Sequence, residues 1–370
     1  MADLRIPAQL LPKDGRFGSG PSRVPASRLT ALTAPGSPLG TSHRQAPVRN
    51  LVANIQDQLA ALYDVPDGYR VVLGNGGATT FWDIATCSLI EQRSAHGACG
   101  EFSRKFADAV AAAPFLDDPV VQSAPAGHSA VPNGQTGCDA YAWAQNETST
   151  GVAMPVRRVP GADPEALMLI DATSAAGGMA ADISAIDAYY FAPQKNFASD
   201  GGLWLAFCSP AALERSTRLT TSRWVPPTLN LTVAADNSSK HQTLNTPALA
   251  TLLLLDAQLS WLLEQGGIDF AVAQTTACSS ALYQWADSRS FVRPFVADPA
   301  DRSPVVVTLA FDDSVDAPTL TSVLRANGIV DVEPYRNAGP NQMRVGCYAA
   351  VELADVQALI ACLDWVIERL

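Results

Sequence analysis

The stretch Asp187-Ala-Tyr-Tyr-Phe-Ala-Pro-Gln-Lys-Asn-Phe-Ala-Ser-Asp-Gly-Gly202 places one lysine, Lys195, at the end of an apolar strand. A lysine becomes a useful nucleophile when its surroundings lower its pKa, and the apolar neighbours Tyr190, Phe191 and Phe197 would do so by excluding water. Such a lysine can form a Schiff base with a carbonyl compound. A solvated loop lysine is the alternative, which this stretch alone leaves open.

A second apolar strand ends in an acidic residue. Ala166-Leu-Met-Leu-Ile170 reads as a buried strand and is followed directly by Asp171. Adjacent strand ends converge on one crevice in open α/β sheets, so we expect Asp171 and Lys195 to lie close together. A carboxylate there could hold the nitrogen of a pyridine ring protonated, which makes the ring an electron sink. A helix cap or a turn is the alternative interpretation.

A glycine-rich loop follows a third strand. Tyr69 to Leu73 is rich in β-forming residues, and Gly74-Asn-Gly-Gly-Ala-Thr-Thr80 leads from it into a helical pattern. Backbone N–H groups at such a helix start bind anions such as phosphate. Thr79 stands where a dinucleotide fingerprint needs its third glycine, and the lysine of a nucleotide P-loop is missing. The loop therefore favours a phosphate-bearing cofactor of another kind.

Three further polar groups are candidates for ligand binding. Asn146-Glu-Thr-Ser-Thr-Gly151 follows a buried strand, and polar residues at that position face ligands in α/β sheets or simply form turns. His43 and Arg44 precede an amphipathic helix, and Arg336 and Arg344 lie between the last strands. Arginine binds carboxylates and phosphates through its planar fork, although a solvated arginine is equally ordinary.

Composition excludes several classes of function. The net charge of -11 and the absence of a basic stripe argue against nucleic acid as a partner. The seven cysteines are scattered and the four histidines lack zinc-ligand spacing, so we expect reduced thiols and no metal. No basic start precedes an apolar segment, and no apolar run approaches the roughly 20 residues of a membrane helix. We therefore expect a cytoplasmic protein without a membrane partner.

The pattern of elements changes near residue 266. Residues 1–265 predict a large α/β cofactor-binding domain with an extended N-terminal segment, and residues 266–370 predict a smaller α+β domain, although one large unit with an appendage would look similar. The expected elements of the second part are a helix over 268–285, strands over 304–311, 329–332 and 342–348, a helix over 316–326 and a final helix.

Taken together, the order and spacing of eight motifs resemble the phosphoserine aminotransferases, in the form found in actinobacteria. The motifs are Phe17-Gly-Ser-Gly-Pro21, Ser42-His-Arg44, Gly76-Gly-Ala78, Asn146-Glu-Thr148, Ile170-Asp171, Ala192-Pro-Gln-Lys-Asn196, Asn245-Thr-Pro247 and Met343-Arg344. The resemblance implies a fold-type I pyridoxal phosphate enzyme with a mainly parallel sheet, working as a homodimer with shared active sites. It implies interconversion of phosphohydroxypyruvate and glutamate with phosphoserine and 2-oxoglutarate, in serine biosynthesis.

The resemblance also implies roles for individual residues. Lys195 would hold the cofactor and move the substrate proton, and Asp171 would pair with the ring nitrogen. The remaining cofactor ligands would be Gly77, Ala78, Phe102, Thr148 and Gln194, joined by Asn245 and Thr246 of the neighbouring subunit. The substrate would be bound by Ser19, His43, Arg44, Arg336 and Arg344, with Arg344 taking the α-carboxylate.

Three departures from the family pattern bear on substrate choice. Phe102 stands where a tryptophan usually covers the ring, Tyr335 stands in place of a histidine, and Ala78 replaces a common arginine. The phosphate site is therefore less cationic than expected. Phosphohydroxythreonine of pyridoxine biosynthesis is a further substrate to consider. The alternatives are another class-V aminotransferase such as the serine–glyoxylate type, a cysteine desulfurase, disfavoured because Cys347 reads as a core strand residue, and a non-catalytic regulator of the same fold.

Overall fold

The structure, a computed structural model, describes residues 4–336, 339 and 341–370. Its first nine strands are β1 (Arg70–Asn75), β2 (Ser94–Ala98), β3 (Val120–Ser123), β4 (Ala140–Ala144), β5 (Asn146–Glu147), β6 (Val152–Ala153), β7 (Leu167–Asp171), β8 (Ala188–Phe191) and β9 (Leu203–Cys208). Seven of these form one sheet in the order β1-β9-β8-β7-β4-β2-β3, and β5 pairs with β6 in a short ribbon.

The large sheet is mainly parallel. Strands β2, β3, β4, β7 and β8 run parallel to one another, whereas β9 is antiparallel to both of its neighbours, β1 and β8. Strands buried on both faces need apolar residues at every position. In β7, Met168 and Ile170 enter the core on one face, while Leu167 and Leu169 enter the core on the other. The predicted α/β fold with a mainly parallel sheet is thus confirmed.

Helices cover both faces of this sheet. The helices of the structure are α1 (Ala26–Thr33), α2 (Ala46–Tyr63), α3 (Ala78–Ser88), α4 (Glu101–Ala111), α5 (Pro210–Ser222), α6 (Leu231–Ser238), α7 (Leu249–Gln265), α8 (Gly267–Asp287), α9 (Ala317–Ala326) and α10 (Leu353–Ile367). Helices α2 and α7 pack on one face of the sheet, and α3 to α6 pack on the other. Among residues 4–336, 339 and 341–370, no helix has the length and apolar character needed to cross a membrane.

A second, antiparallel sheet lies in the last third of the chain. It comprises β10 (Val292–Pro294), β11 (Val306–Phe311) and β12 (Gln342–Gly346), in that order. Its core includes Val307 and side chains of α8, α9 and α10, and the N-terminal residues Ile6 and Phe17 pack into it. The division at residues 265 and 266 stays a prediction. Gly266, at φ 119°, separates α7 from α8 there.

Several local expectations were wrong. Residues 329–332 form one isolated bridge, Val330 with Arg16, rather than a strand. The polar sequence of residues 215–239, with Trp224, Pro226 and Pro227, predicts an irregular segment, but much of it lies in α5 and α6. The sequence Asn245-Thr-Pro247 predicts a helix with Thr246 as its cap and Pro247 as its first residue, but α7 begins at Leu249. Asn245 and Thr246 lie in the loop that precedes it.

Candidate active site

A cavity of about 410 Å³ opens where the strands β4, β7 and β8 end. The start of α3 forms one wall, and another is formed by Arg344, which lies on β12 of the second sheet, and by Tyr335. Its lining comprises Ser19, Gly20, Pro21, Gly77, Ala78, Thr79, Trp82, Phe102, Ala144, Asn146, Thr148, Asp171, Thr173, Gln194, Lys195, Asp200, Gly201, Tyr335 and Arg344. The expected convergence of polar strand ends on one crevice is therefore present.

Lys195 lies inside this cavity with only 7% of its surface exposed. Its ammonium donates a hydrogen bond to Oγ1 of Thr148 at 2.8 Å. Burial lowers the pKa of Lys195 to about 8, an effect that Asp171 opposes and Arg344 reinforces. Its backbone is held by Ser22, whose hydroxyl donates to the Lys195 carbonyl at 2.6 Å. The structure thus supplies the desolvated lysine that the apolar flanks of the sequence predict.

Asp171 ends β7 and faces the same cavity. Its Oδ1 accepts a hydrogen bond from the backbone N–H of Thr173 at 2.9 Å, and its Oδ2 accepts one from the indole N–H of Trp82 at 3.1 Å. Burial raises the pKa of Asp171, and the hydrogen bonds from Thr173 and Trp82, together with Lys195, oppose that rise. Each carboxylate oxygen therefore has one fixed donor and keeps acceptor capacity for a ligand.

Thr148 is held by a buried network of polar side chains. Ser174 accepts a hydrogen bond from the Thr148 hydroxyl at 2.9 Å and another from the amide of Asn146 at 2.7 Å. Its own hydroxyl donates to the carbonyl oxygen of Asn146 at 3.0 Å. A carbonyl oxygen cannot donate, so the direction of each bond is fixed. Thr148 consequently presents a lone pair, and not a proton, to Lys195.

Glu147 is a functional residue whose role the sequence did not reveal. Its carboxylate is fully buried and accepts hydrogen bonds from the backbone N–H groups of Phe102 and Ser103 at 3.3 and 2.9 Å. It thereby caps the start of α4, where a negative charge is favourable. The cap holds Phe102 so that its ring centroid lies 5.4 Å from Nζ of Lys195. The serine at position 103, a typical helix-start residue, was the available signal.

Arg344 on β12 closes the cavity from the second sheet. Its guanidinium donates to the carbonyl oxygen of Thr148 at 2.7 Å and lies 5.3 Å from the ring centroid of Tyr335. Burial lowers the pKa of Arg344. The ring of Tyr335 in turn lies 5.5 Å from that of Phe102. A carboxylate ligand could pair with this guanidinium through its planar fork.

The glycine loop lies at the opposite wall. Gly76 has φ 120°, and a Cβ there would lie 2.3 Å from Oγ1 of Thr80, so the tight turn needs glycine. Gly77 is the N-cap of α3, and a Cβ built on it would meet nothing within 4 Å. Gly77, Ala78 and Thr79 line the cavity, so the first turn of α3, whose N–H groups lack partners within the helix, lies at a position that suits a phosphate.

Five of the predicted site residues do not line this cavity. His43 and Thr246 form a separate group with Arg44, in which Nδ1 of His43 lies 3.2 Å from Oγ1 of Thr246. Arg44 donates to the side chain of Gln242 at 2.6 Å. Asn245 lines a smaller cavity nearby, and Arg336 is exposed beside Tyr335. The structure brings together Ser19, Gly77, Ala78, Phe102, Thr148, Asp171, Gln194, Lys195 and Arg344.

Several lining side chains carry buried polar atoms that lack a hydrogen-bond partner within the described part of the chain. They are Oγ of Ser19, Oδ1 of Asn146, Oγ1 of Thr173, Oε1 of Gln194 and Nε of Arg344. Buried polar groups in native proteins are nearly always paired. The cavity is therefore built for a ligand with several polar groups. The same described residues hold no cluster of three or more His, Cys, Asp or Glu side chains that could bind a metal ion.

Comparison with known proteins assigns the family. The model of the family described as aminotransferase class-V matches residues 135–358, more than half of the chain. The chain belongs to the class-V aminotransferases. This aminotransferase is 58% identical over 369 residues to a protein from Mycolicibacterium vanbaalenii that is provisionally named a phosphoserine aminotransferase, covering 100% of this chain and 99% of the relative. It is 55% identical to the phosphoserine aminotransferase of a Nocardioides strain, covering 99% of each chain.

The fold of this aminotransferase is shared with a solved phosphoserine aminotransferase from Cytophaga hutchinsonii. The TM-score is 0.86 at 22% sequence identity, with 95% of this chain and 99% of that chain covered. The predicted resemblance to the phosphoserine aminotransferase family is thus confirmed. A solved phosphoserine aminotransferase of the same fold from Trichomonas vaginalis, with a TM-score of 0.81 at 20% sequence identity, binds pyridoxal phosphate. The cavity fits it, because the start of α3 suits a phosphate, and a buried lysine and carboxylate lie between that loop and Arg344.

Proposed function

We propose that this aminotransferase transfers the amino group of glutamate to phosphohydroxypyruvate, forming phosphoserine and 2-oxoglutarate. The observation that carries the proposal is the placing of Lys195, Asp171 and Arg344 around one cavity. A nucleophile, a partner for a ring nitrogen and a carboxylate ligand are the three groups that transamination of an amino acid requires. Full-length identity of 58% with a relative provisionally named for this reaction supports the choice of substrate.

The residues of the cavity have distinct parts in holding the cofactor. The start of α3 at Gly77 and Ala78, together with the side chain of Gln194, would bind its phosphate. Asp171 would accept a hydrogen bond from the ring nitrogen, and Phe102 would cover one face of the ring. Lys195 would bind the aldehyde carbon. When bound, the cofactor supplies an electron sink for the electron pair left on the substrate carbon.

Lys195 and Arg344 act on the substrate. Arg344 binds the α-carboxylate with its guanidinium, which Tyr335 and the Thr148 carbonyl already orient. This fixes the Cα–H bond relative to Lys195. Because its pKa is about 8, Nζ of Lys195 is uncharged in a useful fraction of molecules near neutral pH and can accept the Cα proton. Burial excludes the water that would compete for that proton.

Binding of the substrate's distal phosphate needs positively charged residues that do not line the cavity described above. The charged lining residues, Lys195 and Arg344 against Asp171 and Asp200, balance one another. A doubly charged phosphate therefore needs further cations. The chain offers His43 and Arg44, next to Thr246, and the exposed Arg336. We propose a homodimer in which these residues and Asn245 complete the neighbouring subunit's site, with Ser19 binding substrate in its own cavity.

The finer parts of this proposal extend to a second substrate and to the cellular location. Phosphohydroxythreonine of pyridoxine biosynthesis has the same phosphate and α-carboxylate to offer, and a cytoplasmic location suits both reactions. A serine–glyoxylate type aminotransferase would need no phosphate ligands. A non-catalytic regulator of this fold would need neither a desolvated lysine nor a carboxylate beside it, so the retained Lys195 and Asp171 disfavour it.

Single-turnover conversion of the bound cofactor tests the substrate. Phosphoserine and glutamate should each convert it, whereas serine should react at least about tenfold more slowly, because it lacks the phosphate that the cations bind. Phosphohydroxythreonine can be compared in the same assay. Equal reaction with serine and phosphoserine would contradict the proposed phosphate ligands, and no conversion by any amino acid would contradict transamination itself.

A further inference from the structure

Trp82 lies beneath the cavity and contacts Asp171 directly. It sits in the second turn of α3, is 4% exposed, and donates its indole N–H to Oδ2 of Asp171 at 3.1 Å. Its ring is stacked on that of Phe106, with centroids 6.3 Å apart and planes 13° apart. The indole therefore has little freedom to turn away. In the sequence, Trp82 belongs to the helical pattern that follows the glycine loop, and this pattern does not indicate its contact with Asp171.

The hydrogen bond from Trp82 acts against the effect of burial on Asp171. A carboxylate away from water tends to take up a proton, and burial accordingly raises the pKa of Asp171. A donor such as an indole N–H favours the charged form. A protonated Asp171 could not serve as a charged acceptor for a protonated ring nitrogen. The side chain and the backbone N–H of Thr173, the indole N–H of Trp82 and the nearby ammonium of Lys195 therefore all favour the charged form of Asp171.

The same bond fixes the orientation of the carboxylate. The backbone N–H of Thr173, two residues along the same chain segment, donates to Oδ1, and the indole N–H of Trp82 on α3 donates to Oδ2. Because each of the two oxygens accepts a hydrogen bond from a different donor, the carboxyl group is held in one orientation about the Cβ–Cγ bond. Loss of either donor would free the group to rotate about its last bond, because the remaining bond acts as a hinge.

We propose that Trp82 is a positioning residue that keeps the Asp171 carboxylate charged and fixed in one plane, and thereby strengthens the binding of the cofactor's ring nitrogen. The inference rests on the proposed role of Asp171 within the proposed function. It gives α3 two roles: its first turn lies at the proposed phosphate position, and its second turn orients the carboxylate.

The variant Trp82→Phe tests this by removing the donor while keeping an aromatic ring. The dissociation constant of pyridoxal phosphate from the apoenzyme should rise about tenfold at acidic pH, since hydrogen bonds to charged groups are among the stronger ones. The ratio of the variant's constant to that of the wild type should shrink as the pH rises and Asp171 becomes ionised in both proteins. The cofactor's own titration is common to both and cancels in the ratio.

Three other titratable side chains of the described residues face Asp171. Lys195 faces it from the loop after β8 and has a pKa of about 8. Tyr189 and Tyr190 face it from β8, and burial raises the pKa of both well above the usual range. A carbon-13 NMR titration of the Asp171 carboxyl in the apoenzyme, with Asp171→Asn used for assignment, should show its midpoint moving to higher pH in Trp82→Phe.

Two further variants separate positioning from packing. Trp82→Gln places an N–H donor the same number of bonds from the backbone and should recover part of the affinity that Trp82→Phe loses. Trp204→Phe is the matched control, because it makes the same substitution in the same core, where Trp204 is 2% exposed. In this variant the ratio of its dissociation constant to that of the wild type should not depend on pH.

A pH-independent ratio in Trp82→Phe, or equal constants for Trp82→Phe and Trp82→Gln, would overturn the proposal in favour of simple packing. These measurements use no amino-acid substrate, so their outcome is separate from that of the proposed reaction. If Asp171→Asn bound the cofactor as tightly as the wild type, the role of Asp171 itself would be wrong.

Discussion

The ammonium nitrogen of Lys195 lies 2.8 Å from the hydroxyl oxygen of Thr148. The Thr148 hydroxyl donates its hydrogen bond to Ser174, so Oγ1 of Thr148 can only accept one from Lys195. This contact stabilises the charged form of the lysine. Thr148→Val should therefore lower the pKa of Lys195 below its value of about 8. The pH dependence of amine labelling of Lys195 in the apoenzyme measures this. Thr148→Ser, which keeps the hydroxyl, should stay close to the wild type, and an unchanged midpoint in Thr148→Val would contradict the fixed direction of the bond.

Replacing Lys195 should abolish turnover. Lys195→Ala removes both the group that binds the cofactor covalently and the proton carrier, so kcat should fall by about 10²-fold or more. Steady-state assay with phosphoserine and 2-oxoglutarate is the measurement. Lys13→Ala, at an exposed lysine outside the cavity, is the control and should retain full activity. Undiminished turnover in Lys195→Ala would end the aminotransferase mechanism proposed for this cavity.

The buried ammonium of Lys195 should cost the apoenzyme stability. The pKa falls from 10.5 in the exposed state to about 8 in the folded protein. The unfolded chain thus binds more protons between these values, and stability rises as pH increases from about 8 to about 10.5. At pH values below about 8, the buried charge of Lys195 lowers the free energy of unfolding by about 3 kcal/mol. Lys195→Met should therefore stabilise the apoenzyme at neutral pH, and the gain should shrink towards pH 10. Urea unfolding at both pH values tests this, and an equal gain at both would refute it.

The buried carboxylate of Glu147 should stabilise the start of α4. Glu147→Gln places an amide N–H₂ among the N–H donors of Phe102 and Ser103, so the free energy of unfolding should fall by about 1–3 kcal/mol. Glu101→Gln alters the first turn of the same helix, but its partner Lys105 is half exposed, and it should cost at most about 1 kcal/mol. Denaturant unfolding compares the two, and equal effects would argue against the cap.

Mixed dimers test whether active sites are shared. Lys195→Ala and Arg44→Ala subunits should each be weakly active alone. If Arg44 serves the neighbouring site, one of the two sites in a mixed dimer has both intact residues. Refolding the two variants together in equal amounts should then restore about a quarter of wild-type activity, since about half of the dimers are mixed. If Arg44 served its own chain's cavity, no mixed dimer would contain an intact site, and no activity would return.

The sequence predicted the centre of the site better than its surroundings. Lys195 and Asp171 each follow a short apolar strand, and parallel strand ends must meet at one edge, so their proximity followed from local pattern alone. Trp82 and Glu147 act through contacts across 89 and 44 residues of sequence, respectively, which no local pattern encodes. The sequence shows that Trp82 and Glu147 have polar atoms, but it does not show which residues form hydrogen bonds with them.

Other differences arise where tertiary packing overrides local signals. Thr246 and Pro247 read as a helix start, yet α7 begins at Leu249, and the loop before it turns back to His43 and Asn75. The polar character of residues 215–239, together with Trp224, Pro226 and Pro227, predicts irregular chain. Leu219 and Leu231, on α5 and α6, are buried nonetheless, which holds both helices against the sheet.

The packing of residues 4–23 against the last helices has a consequence for synthesis. Ile6 donates its backbone N–H to Asn327, and Lys13 donates to Asp355, contacts that span 321 and 342 residues. The same segment carries Ser19 and Gly20 to Lys195. During translation, Ile6 and Lys13 are synthesised long before Asn327 and Asp355, so these contacts can form only when nearly the whole chain has been made. The strands of the large sheet can pair while translation continues. The part of the cavity lined by Ser19 and Gly20 forms only when the last helices are present. A chain shortened at its C-terminal end could therefore keep its main sheet and still lack a complete cofactor site.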